Sequence, residues 1–234
     1  IDVADMNGDG LQDLVLANGP QNRVTVVFGA IEPFVFDNTP QDVTVNGFPL
    51  DVVAADITGD GLPEVAVTRR DDAFVTLLLN TGGGNLQAAL DIPVGAEPYL
   101  LADADYNRDG RIDLVVSNRG DNTVQMIVAD ANQVFRSPTF AAGQLPVAVA
   151  AGDVNNDGNP DLVVAGQGDD SLRIMLGNGN GEFPLVLPLP GSANTVRAVL
   201  ADTDGDGDID IALSNQDLNW VTHLRSRLAD IGEL

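Results

Sequence analysis

Cysteine is absent from this 234-residue chain, which removes disulfides, Cys-ligated zinc and cysteine nucleophiles at once. Lysine is absent too: all 11 basic residues are arginine. His223 is the sole histidine, so a multi-histidine metal centre is excluded. No stretch approaches the roughly 18 apolar residues of a membrane span. The uncharged stretch at residues 137–152 is broken by Pro138, Gly143 and Pro146. The N-terminus carries no signal-peptide pattern. It begins at Ile1 inside a strand-like segment, from which a processed or trimmed chain is expected.

What is present points to a folded domain. Hydrophobic residues make up 44% of the chain and charged residues only 20%, enough apolar content for a packed core. The net charge of −24 repels phosphate backbones and anionic lipid. No nucleic-acid partner and no direct membrane insertion are therefore expected. Of the 35 acids only 5 are glutamate, and the rest are aspartate. Such an excess of short carboxylates fits turns and hard-cation loops.

The aspartates recur in a nine-residue pattern, Asp-x-(Asn/Asp/Thr)-x-Asp-Gly-x-x-(Asp/Glu). Its five copies begin at Asp5, Asp56, Asp105, Asp153 and Asp202, at separations of 51, 49, 48 and 49 residues. A short Val/Ala-rich segment precedes each loop, as at 52–55, 147–151 and 196–201. A β-rich run follows each loop, at 14–17, 65–68, 114–117, 162–165 and 211–214. After a polar turn comes a third strand, at 24–28, 74–78, 124–128, 172–176 and 220–224. A Gly/Asn-rich turn and a looser fourth strand complete the unit. No sustained helical periodicity occurs.

Four strands at this period describe one blade of a β-propeller. The fold class is thus all-β, with four-stranded antiparallel blades in one domain. The repeat units run about 1–46, 47–94, 95–142, 143–190 and 191–234. The alanines fit first strands that converge on a central axis, where large side chains would clash. A two-sheet sandwich would explain alternating strands but not the period. The fifth unit ends as its fourth strand begins, which leaves three arrangements open. The ring is five-bladed, or part of a larger propeller, or takes its outer strand from elsewhere.

Side-chain oxygens at positions 1, 3, 5 and 9 can converge if the chain turns sharply at the glycine of position 6. Position 7 then adds its carbonyl. The candidate ligands are Asp5, Asn7, Asp9, Leu11 and Asp13 in loop 1, and Asp56, Thr58, Asp60, Leu62 and Glu64 in loop 2. Loop 3 offers Asp105, Asn107, Asp109, Arg111 and Asp113. Loop 4 offers Asp153, Asn155, Asp157, Asn159 and Asp161, and loop 5 offers Asp202, Asp204, Asp206, Asp208 and Asp210. An all-oxygen set of this size favours Ca²⁺, up to five ions. The EF-hand is excluded, because position 12 holds Leu16, Val67, Val116, Val164 or Leu213 instead of glutamate. By charge, loop 5 should bind most tightly and loop 2, with Thr58 and Glu64, most weakly.

With these motifs the chain resembles the FG-GAP/VCBS repeats of integrin-α-like β-propellers and of many secreted bacterial proteins, most clearly over 4–18 and 153–165. The resemblance implies Ca²⁺ between the first and second strands of each blade. It also implies a secreted or cell-surface protein of bacterial type, with calcium in place of disulfides as the staple. Thr58 and Glu64 depart from the pattern, as does Asn194, which stands where Pro98 and Pro146 follow Gly95 and Gly143.

No catalytic set emerges. His223 lies within a third strand and reads as structural, and Trp220 reads as filling between blades. Tyr99 and Tyr106 are the only tyrosines, too few for repeated aromatic sugar sites. By strand parity, Arg23, Arg69, Arg70 and Arg119 lie opposite the acidic loops and form a candidate patch for a carboxylate, a sulfated sugar or an acidic partner. Local pairing with Asp71, Asp72 and Asp121 is the competing reading. The leading functional expectation is a calcium-stabilised binding or scaffold module with a protein or carbohydrate ligand on that face. The alternatives are a propeller-frame polysaccharide lyase or hydrolase, and a purely structural part of a larger surface protein.

Overall fold

The computed structural model describes residues 1–30, 36, 39–129, 135–136, 138–191, 194–216 and 220–225. Among the described residues, twenty β-strands form five antiparallel sheets. Blade 1 holds β1 (Asp2–Ala4), β2 (Asp13–Asn18), β3 (Arg23–Val27) and β4 (Gln41–Thr44), and blade 2 holds β5 (Pro49–Ala55), β6 (Glu64–Arg69), β7 (Phe74–Asn80) and β8 (Leu86–Pro93). Blade 3 holds β9 (Pro98–Ala104), β10 (Asp113–Asn118), β11 (Thr123–Ala129), β12 (Phe135–Arg136) and β13 (Thr139–Ala141). Blade 4 holds β14 (Pro146–Gly152), β15 (Asp161–Gly166), β16 (Ser171–Leu176) and β17 (Leu185–Pro190). Blade 5 holds β18 (Thr195–Ala201), β19 (Asp210–Asn215) and β20 (Trp220–Leu224).

The order within each sheet is the simple meander that the repeat implies. Blade 3 departs from four strands because two short strands, β12 and β13, both pair with β11. The fifth unit's terminal segment, 226–234, and the side chain of Trp220 lie outside the described residues. The one helical element among the described residues is a 3₁₀ turn at Gly19–Gln21.

The core lies between the blades. Val15, Val24 and Val26 of blade 1 pack on Val52, Val65 and Leu78 of blade 2. Val53, Ala66 and Leu77 meet Leu101, Leu114 and Ile127 of blade 3. Val115, Val124 and Met126 meet Leu162, Val164 and Met175 of blade 4. Ala148, Val163 and Leu172 meet Ile211 and Leu213 of blade 5. A single blade leaves both faces bare, so stability comes from stacking neighbours. Where the array ends, apolar side chains stay exposed: Val3 at 52%, Val199 at 58% and Val221 at 66%.

Side-chain carboxylates join the first strands of different blades near the axis. Asp2 accepts the N–H of Ala54 at 2.8 Å. Asp51 accepts the N–H of Leu101 at 3.0 Å and the Arg197 guanidinium at 3.1 Å, which connects blades 2, 3 and 5. Asp51 is 3% exposed as a residue, whereas the Arg197 side chain is 55% exposed. Removing the buried member strands the Leu101 amide and the guanidinium, while removing the exposed one loses a half-solvated pair. We expect Asp51→Ala to destabilise the fold by about 2–4 kcal/mol. Arg197→Ala should cost less, about 1–2 kcal/mol in the same urea denaturation series, because Asp51 Oδ1 loses its cation while water enters where the exposed guanidinium lay and the bond to Leu101 stays. Equal losses would contradict this assignment.

Candidate metal centres and the opposite face

All five acidic loops take one conformation. The position-6 glycines, Gly10, Gly61, Gly110, Gly158 and Gly207, have φ of 84°, 89°, 87°, 84° and 93°, a region that side chains resist. The amide of each of these glycines donates to the position-1 aspartate at 2.8–3.0 Å. The position-7 amide donates to the position-5 aspartate at 2.8–3.0 Å. In every loop the position-9 carboxylate accepts the amide of position 2, at 2.8–3.1 Å, from Met6, Ile57, Tyr106, Val154 and Thr203 in turn.

The position-2 side chains explain why the loops sit where they do. Met6, Ile57, Tyr106 and Val154 are buried in the four interblade clusters, one in each. Each roots its loop between its own blade and the next. The fifth loop has Thr203 at this position, exposed to solvent, with His223 2.6 Å from its hydroxyl and 3.4 Å from Asp210. His223 therefore braces the fifth loop, a role that its place in a strand did not disclose. Tyr106 packs edge-on to Phe183 with ring centroids 5.9 Å apart.

Carboxylate oxygens of Asp56, Asp60 and Glu64 lie within 4.8 Å of one another, as do those of Asp202, Asp204 and Asp210; either group could hold a metal ion. In loops 1, 3 and 4 the third position is an asparagine, whose amide nitrogen donates to the position-5 aspartate at 3.0, 3.2 and 2.9 Å. Buried oxygens lack hydrogen-bond partners in two loops: Thr58 Oγ1 and Glu64 Oε1 in loop 2, and Asp113 Oδ1 in loop 3. A buried acceptor without a donor is costly, and a hard cation satisfies it, so these donor sets fit Ca²⁺. Charge count favours loop 5, but there Asp204 already holds Arg225 at 3.2 Å.

Burial pushes the Asp113 carboxyl up to about 7, with Asp109 and Asp105 adding repulsion. Burial likewise lifts Asp161 to about 6, against hydrogen bonds from Gly177 and Val154. Glu64 is also raised, first by burial.

Adjacent loops touch. Arg108, at position 4 of loop 3, donates to Asn159 at position 7 of loop 4 at 3.2 Å. Asn156, at position 4 of loop 4, donates to Asp208 at position 7 of loop 5 at 2.7 Å.

The opposite face holds an axial cup of about 770 Å³. Arg70 and Arg119 line it; Arg70 is paired with Asp71 at 3.1 Å and Arg119 with Glu97 at 2.9 Å. The other two arginines of the expected patch do not line it. Arg69 is buried between Asp72 and Asp91, at 2.7 and 2.6 Å, because the last position of β6 points into the blade. Arg23 pairs with Asp42 at 2.6 Å. Asp121, expected as an ion partner, accepts the Ala96 amide instead.

Stacked antiparallel sheets with an acidic loop in each define a repeat propeller. A family model described as FG-GAP-like repeat matches residues 5–67, 105–164 and 153–213, and the chain belongs to that family. No curated protein matches it in sequence. Among solved structures, a Lactobacillus plantarum protein is similar with a TM-score of 0.66 and 13% identity, over 92% of this chain and 64% of its own. The periplasmic gluconolactonase of Pseudomonas aeruginosa is similar at 0.63 and 20% identity, over 82% of this chain and 54% of its own. An Agrocybe aegerita lectin that recognises non-reducing terminal N-acetylglucosamine is similar at 0.63 and 20% identity, over 97% and 65%. At these identities the likeness is one of fold. The chain spans less than two thirds of the length of each.

The raised carboxyl groups set a direction for stability. A carboxyl whose folded pKa lies above its unfolded value binds more protons when folded, so stability falls as pH rises between the two values. For metal-stripped protein we expect the melting temperature to fall from about pH 4 to pH 7 on account of Asp113 and Asp161. With excess Ca²⁺ the trend should reverse, because the ion binds the ionised form. Parallel pH profiles with and without the ion would contradict this.

Proposed function

We propose that the chain is a calcium-stabilised, secreted or cell-surface propeller that binds a protein or glycan on the face opposite its acidic loops. The observation that carries the calcium reading is the set of buried loop oxygens without donors, Thr58 Oγ1, Glu64 Oε1 and Asp113 Oδ1. Most position-1, position-3 and position-5 groups are open to solvent or only half-buried, which suits weak sites of the kind filled at extracellular calcium levels. No helix among the described residues is long and apolar enough to cross a membrane.

The binding reading is supported by the division of labour between the two faces. One face is occupied by the loops, and the other presents a polar cup on the axis. A second reading is a polysaccharide lyase or hydrolase, favoured by Tyr99, Arg119 and Glu97 meeting in that cup. Release of reducing ends or unsaturated products from a polysaccharide panel separates turnover from binding.

Calorimetric titration of metal-stripped protein should give up to five Ca²⁺ per chain. Each filled site adds about 2.7 kcal/mol at a hundredfold excess over its Kd. The melting temperature should therefore drop with EGTA and return with Ca²⁺. A melting temperature indifferent to chelator, or full occupancy by a transition metal in elemental analysis, contradicts the calcium reading. For the ligand face, a glycan array and an extracellular-protein pull-down should each be run with the native chain and with Arg119→Glu. Signal lost in the variant is the expected result.

A further inference from the structure

We infer that the axial cup is a subsite for a neutral saccharide, an inference that rests on the reading of this face as the ligand face. The cup is built by one device repeated in four blades. The residue after each second strand donates its amide to the carbonyl of the residue immediately before that blade's first strand. These bonds run from Arg70 to Phe48, Arg119 to Glu97, Gln167 to Leu145 and Gln216 to Asn194, at 3.1, 3.0, 2.9 and 3.0 Å. Each of these residues lines the cup, so four blades contribute Arg, Arg, Gln and Gln to one cavity.

The rim is stiff. Glu97 and Leu145 have φ of 50° and 49°, although each precedes a proline, which favours an extended conformation in the residue before it. Such strain persists only where the surroundings over-determine it, and it clusters at ligand clamps.

Charge and hydrogen-bonding capacity choose the ligand. The two guanidinium groups are each matched by a carboxylate, Asp71 and Glu97, so the charged groups of the cup sum to zero. An anionic ligand would have to displace these carboxylates inside the field of a −24 chain. A cationic ligand is drawn instead to the acidic loops. A neutral polyhydroxy ligand needs donors and acceptors in equal supply, and the cup offers both. Arg70 uses its Nε for Asp71 and Arg119 one terminal nitrogen for Glu97, which leaves further N–H groups on each. Gln167 and Gln216 each present a carbonyl and an amine on one planar group. Tyr99 supplies the aromatic surface on which a sugar ring can stack, and Ala73 and Ala96 leave the space open. A volume of about 770 Å³ accommodates more than one sugar unit.

The test uses the intact chain in calcium-containing buffer, with maltotriose and cellotriose as neutral probes and trigalacturonate as the anionic one. Saturation-transfer NMR and calorimetry read binding. At least one neutral trisaccharide should bind about tenfold more tightly than trigalacturonate. Gln167→Ala and Arg119→Ala should each weaken it by about tenfold, with unchanged melting temperature. If Arg119→Ala loses its fold, Gln167→Glu keeps the side-chain size and should weaken the neutral probe in the same sense. Trigalacturonate binding as tightly as the neutral probes, neutral binding that survives the substitutions, or no neutral binding would each overturn the inference. If no neutral sugar binds but a pull-down captures a protein that Arg119→Glu releases, the ligand face stands and the saccharide falls. If neither binds, both fall.

Discussion

The structure depends on the hydrogen bond between the position-2 amide and the position-9 carboxylate of each loop. That bond joins two parts of the molecule with opposite physical character. In the first four loops the position-2 side chain is buried between blades, and the position-9 carboxylate opens the second strand of its own blade while facing the acidic loop. A carboxylate in this setting is held by one oxygen to the backbone, while the other is satisfied only where a donor lies near. Asp13 and Asp161 find one in Gly29 and Gly177, at 2.7 Å each, but Glu64 and Asp113 do not. The loops therefore combine a rigid backbone with an unmet demand for positive charge. Packing between blades and the charge held in the loops are in this way one problem, and a chain without cysteine has no disulfide to relieve it.

The two faces follow from that arrangement. Antiparallel strands put every first-to-second-strand loop at one end of the blades and every second-to-third-strand turn at the other. The acidic end is uniform because each loop repeats the same glycine turn and the same amide-to-aspartate bonds. The opposite end varies in side chain, Arg70, Arg119, Gln167 and Gln216, on an unvarying backbone bond. Constancy at one end and variation at the other is what a repeated backbone allows when its turns differ only in side chain.

Much of this was legible in the sequence because it is local. The nine-residue period, the glycine at position 6 and the strand runs on either side are all properties of contiguous residues, and the five sheets appear where the pattern places them. What was not legible depends on contacts between distant residues. Arg69 and Arg70 are adjacent, yet β-strand alternation buries the first between Asp72 and Asp91 and sends the second to the cup. The bond from Arg197 to Asp51 spans 146 positions. His223 reads as an ordinary strand residue until the hairpin of β19 and β20 brings it to Thr203 and Asp210. The alternation of apolar residues at position 2, Met6, Ile57, Tyr106 and Val154, was visible but carried no meaning until the cores proved to lie between blades.

The most direct test of the account is hydrogen exchange at the position-2 amides, with and without Ca²⁺. If the loops and the interblade cores are one cooperative unit, calcium slows exchange at Met6, Ile57, Tyr106 and Val154 and, in step with them, at the strands that line the neighbouring clusters. Protection confined to the loop glycines, with the position-2 amides and the strands unchanged, would contradict it.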